Sequence, residues 1–172
     1  MAENMYGVIR TDLMAGTTVG SYLASVRYFD EDSNPAQIEN GCVLMLDGLL
    51  EGEREIFKGV APDADTPLKN VVIVATPEVF YDERKRNLSD FINPAGANCR
   101  GYHIHENDAF GLTAEALNIA EGVTPDVGYT VELMAGIKMN VVATPTSGST
   151  VVGTIKAIEK AGRYTYYVIR VA

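Results

Sequence analysis

GYTVELMAGIKMNVVATPTSGSTVVGTIKAIEKAGRYTYYVIRV, residues 128–171, decides the fold class. Tyr129, Val131 and Leu133 alternate with Thr130, Glu132 and Met134; Ile137, Met139, Val141 and Ala143 alternate with Lys138 and Asn140. A period of two marks a strand, because successive side chains leave opposite faces of a sheet. Ala135-Gly136 has the length of a tight hairpin turn, and Thr146-Ser147-Gly148-Ser149 makes the next turn. Val151–Ile158 and Tyr164–Val171 complete four strands, the last two joined around Glu159–Gly162. Short strands at even turn spacing predict a C-terminal four-strand meander within a small β-barrel or sandwich.

The pattern extends upstream. Tyr22, Ala24, Val26 and Tyr28 oppose Leu23, Ser25, Arg27 and Phe29, and the polar turn cluster 30–35 closes this strand. Gly41–Leu46 is a continuous apolar run stopped by Asp47-Gly48, which predicts a buried strand. Residues 57–70 hold Gly59, Pro62, Pro67 and several acids and read as a loop. Val71-Val72-Ile73-Val74-Ala75 is β-branched and apolar throughout, the composition of a central strand, closed by Thr76-Pro77. The period then changes. Leu88, Phe91 and Ile92 stand at helical spacing, predicting a short helix at about 84–93 that Asn93 must end because Pro94 follows. A second short helix is expected at 113–120, capped by Thr113, packed through Leu117 and terminated by Gly122. The fold class read from the sequence is therefore mainly β with one or two short helices. Residues 1–20, rich in Gly, Thr and Met, read as an N-terminal arm, and 21–172 as one β-rich domain with a sub-boundary near 122–128.

Composition narrows the functions. Apolar residues make up 47% of 172 and charged residues 22%, an ordinary globular balance. The net charge of −9 repels nucleic acid unless basic residues cluster, and the one dense run, Arg84-Lys85-Arg86, lies beside Asp82, Glu83 and Asp90. That run reads as a solvated face, so no nucleic-acid partner is expected. No stretch has the roughly 18 apolar residues of a membrane span, and no signal-peptide core follows the N-terminus, so synthesis in a cytosol without membrane attachment is expected. Cys42 and Cys99 are too few for a disulfide scaffold and lack C-x-x-C spacing; Cys42, inside an apolar run, reads as a small buried hydrophobe.

Catalytic motifs are absent: no G-x-S-x-G, phosphate loop, dinucleotide fingerprint or H-E-x-x-H occurs. The one suggestive cluster is His103-x-His105-Glu106-x-Asp108. On a strand His103 and His105 would share a face about 7 Å apart and converge on one cation, but catalytic zinc needs a third protein ligand. Two strand histidines running into a polar turn is the plainer reading, and no metal, cofactor or catalytic residue is assigned. Tyr164, Tyr166 and Tyr167 crowd the last strand, where tyrosine suits either a core edge or an interface.

The segments Met5–Thr18 (MYGVIRTDLMAGTT), Leu50–Pro62 (LEGEREIFKGVAP), Asn87–Ile104 (NLSDFINPAGANCRGYHI), Asp108–Asn118 (DAFGLTAEALN), Val127–Gly136 and Thr146–Ile155 (TSGSTVVGTI) resemble a family of tailed-bacteriophage head decoration, or capsid-stabilising, proteins. The resemblance covers most of the chain and rests on turn and strand positions, so it supplies no catalytic residues. It implies a non-enzymatic accessory protein of the virion, made in the bacterial cytoplasm. Such a protein sits on the outer capsid surface with the major capsid protein, and copies of itself, as partners. Met5, Tyr6, Val8 and Ile9 are the expected partner contacts, if the arm docks on a neighbour; the alternative is that Tyr6–Arg10 is the first strand of the chain's own sheet. Two other readings are a small metal-dependent barrel enzyme built on His103 and His105, and another phage part such as a tail-tube or head–tail connector protein.

Overall fold

Val71–Val74 is buried on both faces, and the architecture follows from it. The structure, a computed structural model, describes residues 5–172. Strand β1 is Ile9–Leu13, β2 Leu23–Tyr28, β3 Val43–Leu49, β4 Ile56–Val60, β5 Val71–Val74, β6 Cys99–His103, β7 Ala109–Leu112, β8 Leu117–Asn118, β9 Thr130–Glu132, β10 Met139–Val142, β11 Val151–Ala161 and β12 Tyr164–Val171. Strands β2-β4-β3-β5-β6 close into a five-stranded barrel, and β1-β7-β12-β11-β9-β10-β8 form a seven-stranded sheet. The protein is mainly β, as its alternation predicts.

One wall of the barrel faces the sheet, and strand alternation divides the apolar side chains between two cores. Val72 and Val74 join Ala24, Val26, Leu44 and Cys99 inside the barrel. Val71 and Ile73, on the other face of β5, join Val43 and Tyr102 against Phe110, Leu112 and the sheet. Burial pushes the Cys42 thiol up to about 12 and the Cys99 thiol up to about 11. Both behave as small core hydrophobes.

A five-stranded barrel leaves little space on its axis. A Cβ on Gly59 would come within 2.5 Å of Val26 Cγ2 and 2.9 Å of Leu44 Cδ1, and one on Gly101 within 2.8 Å of Val72 Cγ2. These glycines let two strands approach valines that already fill the interior. Ile56–Val60 is a strand where the sequence reads as a loop. Its Gly59, which looks like a breaker, is the residue the barrel requires.

All four C-terminal strands form, but not as a meander. β9 pairs with both β10 and β11, so the order in space is β10-β9-β11-β12. Glu132, buried at the end of β9, accepts the Thr146 N–H at 2.9 Å, and the Leu133 N–H donates to Thr150 O at 2.9 Å. These bonds carry the β10–β11 connection across the end of β9 and place β11 on its far side. The Ala135-Gly136 turn is accordingly a wider connection.

Both expected helices are single 3₁₀ turns, Leu88–Asp90 and Ala114–Ala116, and among the described residues none is α-helical. The stripe Leu88/Phe91/Ile92 packs a loop rather than a helix; Leu117 starts β8 immediately after its turn. No helix is long and apolar enough to cross a membrane.

The N-terminal segment is also corrected. Residues 1–4 lie outside the described residues, but from Tyr6 onward the segment is sewn into the body. The Tyr6 N–H donates to Ser89 O at 2.8 Å, Val8 exchanges bonds with Thr113, β1 pairs with β7, and the Ala15 N–H donates to Asp108 Oδ1 at 2.9 Å. Val8, Ile9 and Met14 are buried. An arm with this much apolar surface finds its partner in its own sheet. The chain leaves the barrel after His103, so the change of architecture falls at 104–108, not at 122–128, and the shared core joins both parts.

The packing at Gly59 predicts that Gly59→Ala lowers stability by about 1–3 kcal/mol in urea unfolding, the usual cost of overpacking a core. Val26→Ala added to it should recover part of that loss, because Val26 Cγ2 is the nearest obstruction; additive losses would show that the barrel axis is not the constraint.

Candidate functional site

The residues singled out by chemistry do not form a metal centre. β6 ends at His103, so His105 lies beyond the strand and does not share its face. The His105 ring stacks on Tyr22 with centroids 3.9 Å apart, and its Nδ1 lies 3.2 Å from His103 O and 3.9 Å from Asp108 Oδ2. Asp108 is buried and serves as a staple: Oδ2 accepts the His105 N–H at 3.0 Å and Oδ1 the Ala15 N–H. Among the described residues no three His, Cys, Asp or Glu side chains are grouped as a metal site requires. Desolvation, then the neighbouring His105, lowers the His103 pKa from its ordinary value.

Of the expected partner contacts, Val8 and Ile9 are core residues, Tyr6 is half-buried, and Met5 alone is exposed. The tyrosines of β12 are core-edge residues. Tyr166 is buried with the Arg10 guanidinium 5.2 Å over its ring, and Tyr167 packs against the sheet core.

The surface that does stand out is the β5–β6 connection, residues 75–98. A connection of this length in a small domain, without strands of its own, is usually functional or disordered. This one is pinned at both ends by a buried asparagine pair. Asn40 accepts the Thr76 N–H at 3.1 Å and donates through Nδ2 to Thr76 O at 2.9 Å. Asn93 donates through Nδ2 to Asn40 Oδ1 at 3.1 Å and to Ile38 O at 3.0 Å, while the Ile38 and Asn93 backbones bond each other. Thr76 and Asn93 are thereby held on one side chain, and the intervening chain closes into a compact loop of the Ω kind. Its middle is tied to β12, where Tyr164 Oη accepts the Ser89 N–H at 3.2 Å.

Family models, characterised proteins and solved structures contain no match to this chain.

The loop frames a mostly apolar groove of about 620 Å³, lined by Val79, Phe80, Tyr81, Phe91, Ile92 and Pro94 among others. Phe80 and Phe91 meet edge to face with centroids 5.8 Å apart and form its floor. Val79 is 59% exposed and Tyr81 98%. Large apolar side chains held in the open on a pinned loop make this groove the candidate contact surface. Sequence reasoning missed the groove by assigning about 84–93 to a helix and leaving Val79, Phe80 and Tyr81 without an element. The available signal was aromatic density, with Phe80, Tyr81 and Phe91 inside a stretch bounded by Pro77 and Pro94.

Two predictions follow from these contacts. Asn40→Ala leaves the half-buried Thr76 N–H without its partner and takes one of two acceptors from the buried Asn93 amide, which keeps Ile38 O, and should lower stability by about 1–3 kcal/mol. It should also speed trypsin cleavage at Arg84-Lys85-Arg86 roughly tenfold, because freed ends open the loop; unchanged cleavage would mean that the pair does not hold it. For His103 a depressed folded pKa means that the unfolded chain binds the proton more readily. Its contribution is complete above the ordinary value of about 6.5 and is lost as pH falls below it. Urea midpoints should fall between about pH 7.5 and about pH 5.5, and His103→Gln should flatten that slope.

Proposed function

We propose that the protein is an accessory structural protein of a tailed-phage particle that binds the outer surface of the capsid lattice and stabilises it through protein–protein contacts. The observation that carries the reading is the pinned apolar loop face at 76–98, a surface suited to another protein rather than to a small substrate. The sequence resemblance to decoration proteins points the same way, and most of its segments are parts that build this body. Asn87–Ile104 supplies the second half of the loop and β6, Leu50–Pro62 supplies β4, and Asp108–Asn118 supplies β7 and β8. The net charge of −9 helps keep free copies soluble before they assemble. Partners on this reading are the major capsid protein and further copies of the chain.

The test is to mix purified protein with expanded capsids that lack it and to sediment them. Saturable co-sedimentation with a stoichiometry fixed by the lattice, and an upward shift in the temperature at which the capsids break, are the expected outcomes. Binding that does not saturate, or capsids whose heat resistance is unchanged at full occupancy, would remove the cement role.

A further inference from the structure

Ser89 is where the middle of the long loop is fastened. It sits in the single 3₁₀ turn Leu88–Asp90 and is 2% exposed. Each of its polar atoms is bonded outside the loop. Ser89 O accepts the Tyr6 N–H at 2.8 Å, the Ser89 N–H donates to Tyr164 Oη at 3.2 Å, and Tyr164 Oη donates in turn to Ser89 Oγ at 3.3 Å. Tyr164 belongs to β12 and is fixed by its pairing with Ala161. Tyr6 has no such support: it precedes the ladder, whose first pairing in β1 is Ile9 with Leu112.

Gly7 reaches the other fastening, at the neck of the loop. Its N–H donates to Glu39 Oε2 at 2.8 Å, and Glu39 is the residue before Asn40, which holds Thr76 and Asn93. Lys138 steadies that carboxylate, with Nζ 3.5 Å from Glu39 Oε1 and donating to Glu115 O at 2.7 Å. Gly7 also lies directly against Asn40: a Cβ there would come within 2.7 Å of Asn40 O and of Ala116 Cβ. Two consecutive residues, one of them without a side chain, thus touch both the middle of the loop and its neck.

These residues are lightly held themselves. Met5 is exposed and Tyr6 half-buried. An open cavity of about 180 Å³ lies between them and Ser89, Tyr164 and Tyr167, so the segment crosses unfilled space rather than a packed core. Val8, by contrast, is buried and exchanges bonds with Thr113. Residues 5–7 can therefore lift while Val8 and β1 stay paired. Local opening costs least near a chain end, where few apolar contacts and no ladder bonds hold the backbone.

We infer that residues 5–7 are a strap that keeps the 76–93 loop closed, and that lifting the strap opens the loop while barrel and sheet stay folded. Strap and loop share Ser89 and the Glu39–Asn40 corner, so the coupling runs both ways: whatever loosens the loop also loosens the strap. The Phe80–Phe91 contact joins the two limbs of the loop, so parting them takes the floor of the groove apart. A partner that captures residues 5–7 would thereby change the face that the groove presents. The strap acts on the loop itself, whatever covers the groove.

The test is amide hydrogen exchange on the full chain, on a deletion of residues 1–7 and on Tyr164→Phe. The deletion removes both strap bonds and leaves Val8 with its Thr113 partner; Tyr164→Phe takes a single hydroxyl from Ser89. Lys85, Asp90 and Phe91, whose N–H groups bond within the loop, report its opening, and the β5 amides report the barrel. The deletion should speed exchange at the three loop amides at least roughly fivefold and leave β5 unchanged. Tyr164→Phe should speed exchange at Gly7 roughly threefold, although it alters nothing in the strap. Loop amides indifferent to the deletion, loop and β5 amides accelerated alike, or a Gly7 amide indifferent to Tyr164→Phe would each overturn the coupling. So would a deletion that fails to fold, because residues 5–7 would then belong to the core.

Discussion

Both cores depend on one four-residue strand. Val71 and Ile73 face the seven-stranded sheet, while Val72 and Val74 face the barrel axis. No polar residue is tolerated at any of the four positions, because neither face meets water. β-Branched side chains suit such a strand: they favour extended backbone and give up little rotamer freedom on burial. Because β5, a barrel strand, lends one face to each core, barrel and sheet cannot part without exposing Val71 and Ile73. The closed barrel and the open sheet therefore behave as one body despite their separate hydrogen-bond ladders.

The narrowness of the barrel sets the second requirement. Five strands enclose a space that Val26, Leu44, Val72 and Val74 nearly fill, so positions facing them on β4 and β6 must have no side chain. Gly59 and Gly101 are there for space rather than for a turn. β3 and β6 flank β5, both antiparallel to it, and so begin at the same end of the barrel. The long β5–β6 connection thus departs and returns at one end of the barrel, and the Asn40–Asn93 pair fastens it there.

That arrangement separates stability from recognition. The loop is held at Thr76 and Asn93 by buried amides and at Ser89 by Tyr164, so its aromatic and aliphatic side chains need not all turn inward to hold it. They remain at the surface, where apolar area is costly unless a partner covers it.

The sequence by itself determined that the protein is mainly β, and where most of its strands lie. β2, β3, β5 and the four C-terminal strands are legible because alternation or an unbroken apolar run is a local property of the chain. It also determined that Cys42 would be buried and that the histidine cluster ends in a polar turn. Tertiary structure decided the rest. Whether Leu88, Phe91 and Ile92 form a helix depends on the Asn40–Asn93 pair and on Tyr164, none of which is near them in sequence except Asn93, so the helical stripe became a pinned loop. Whether Tyr6–Arg10 docks outward or inward depends on a vacant edge at β7 and on Thr113, about a hundred residues away. β4 is invisible locally because its decisive residue, Gly59, looks like a breaker until Val26 and Leu44 are placed opposite it. The groove is legible as residues but not as a surface, since only the Asn40–Asn93 pair, joining positions 53 residues apart, holds the loop that frames it.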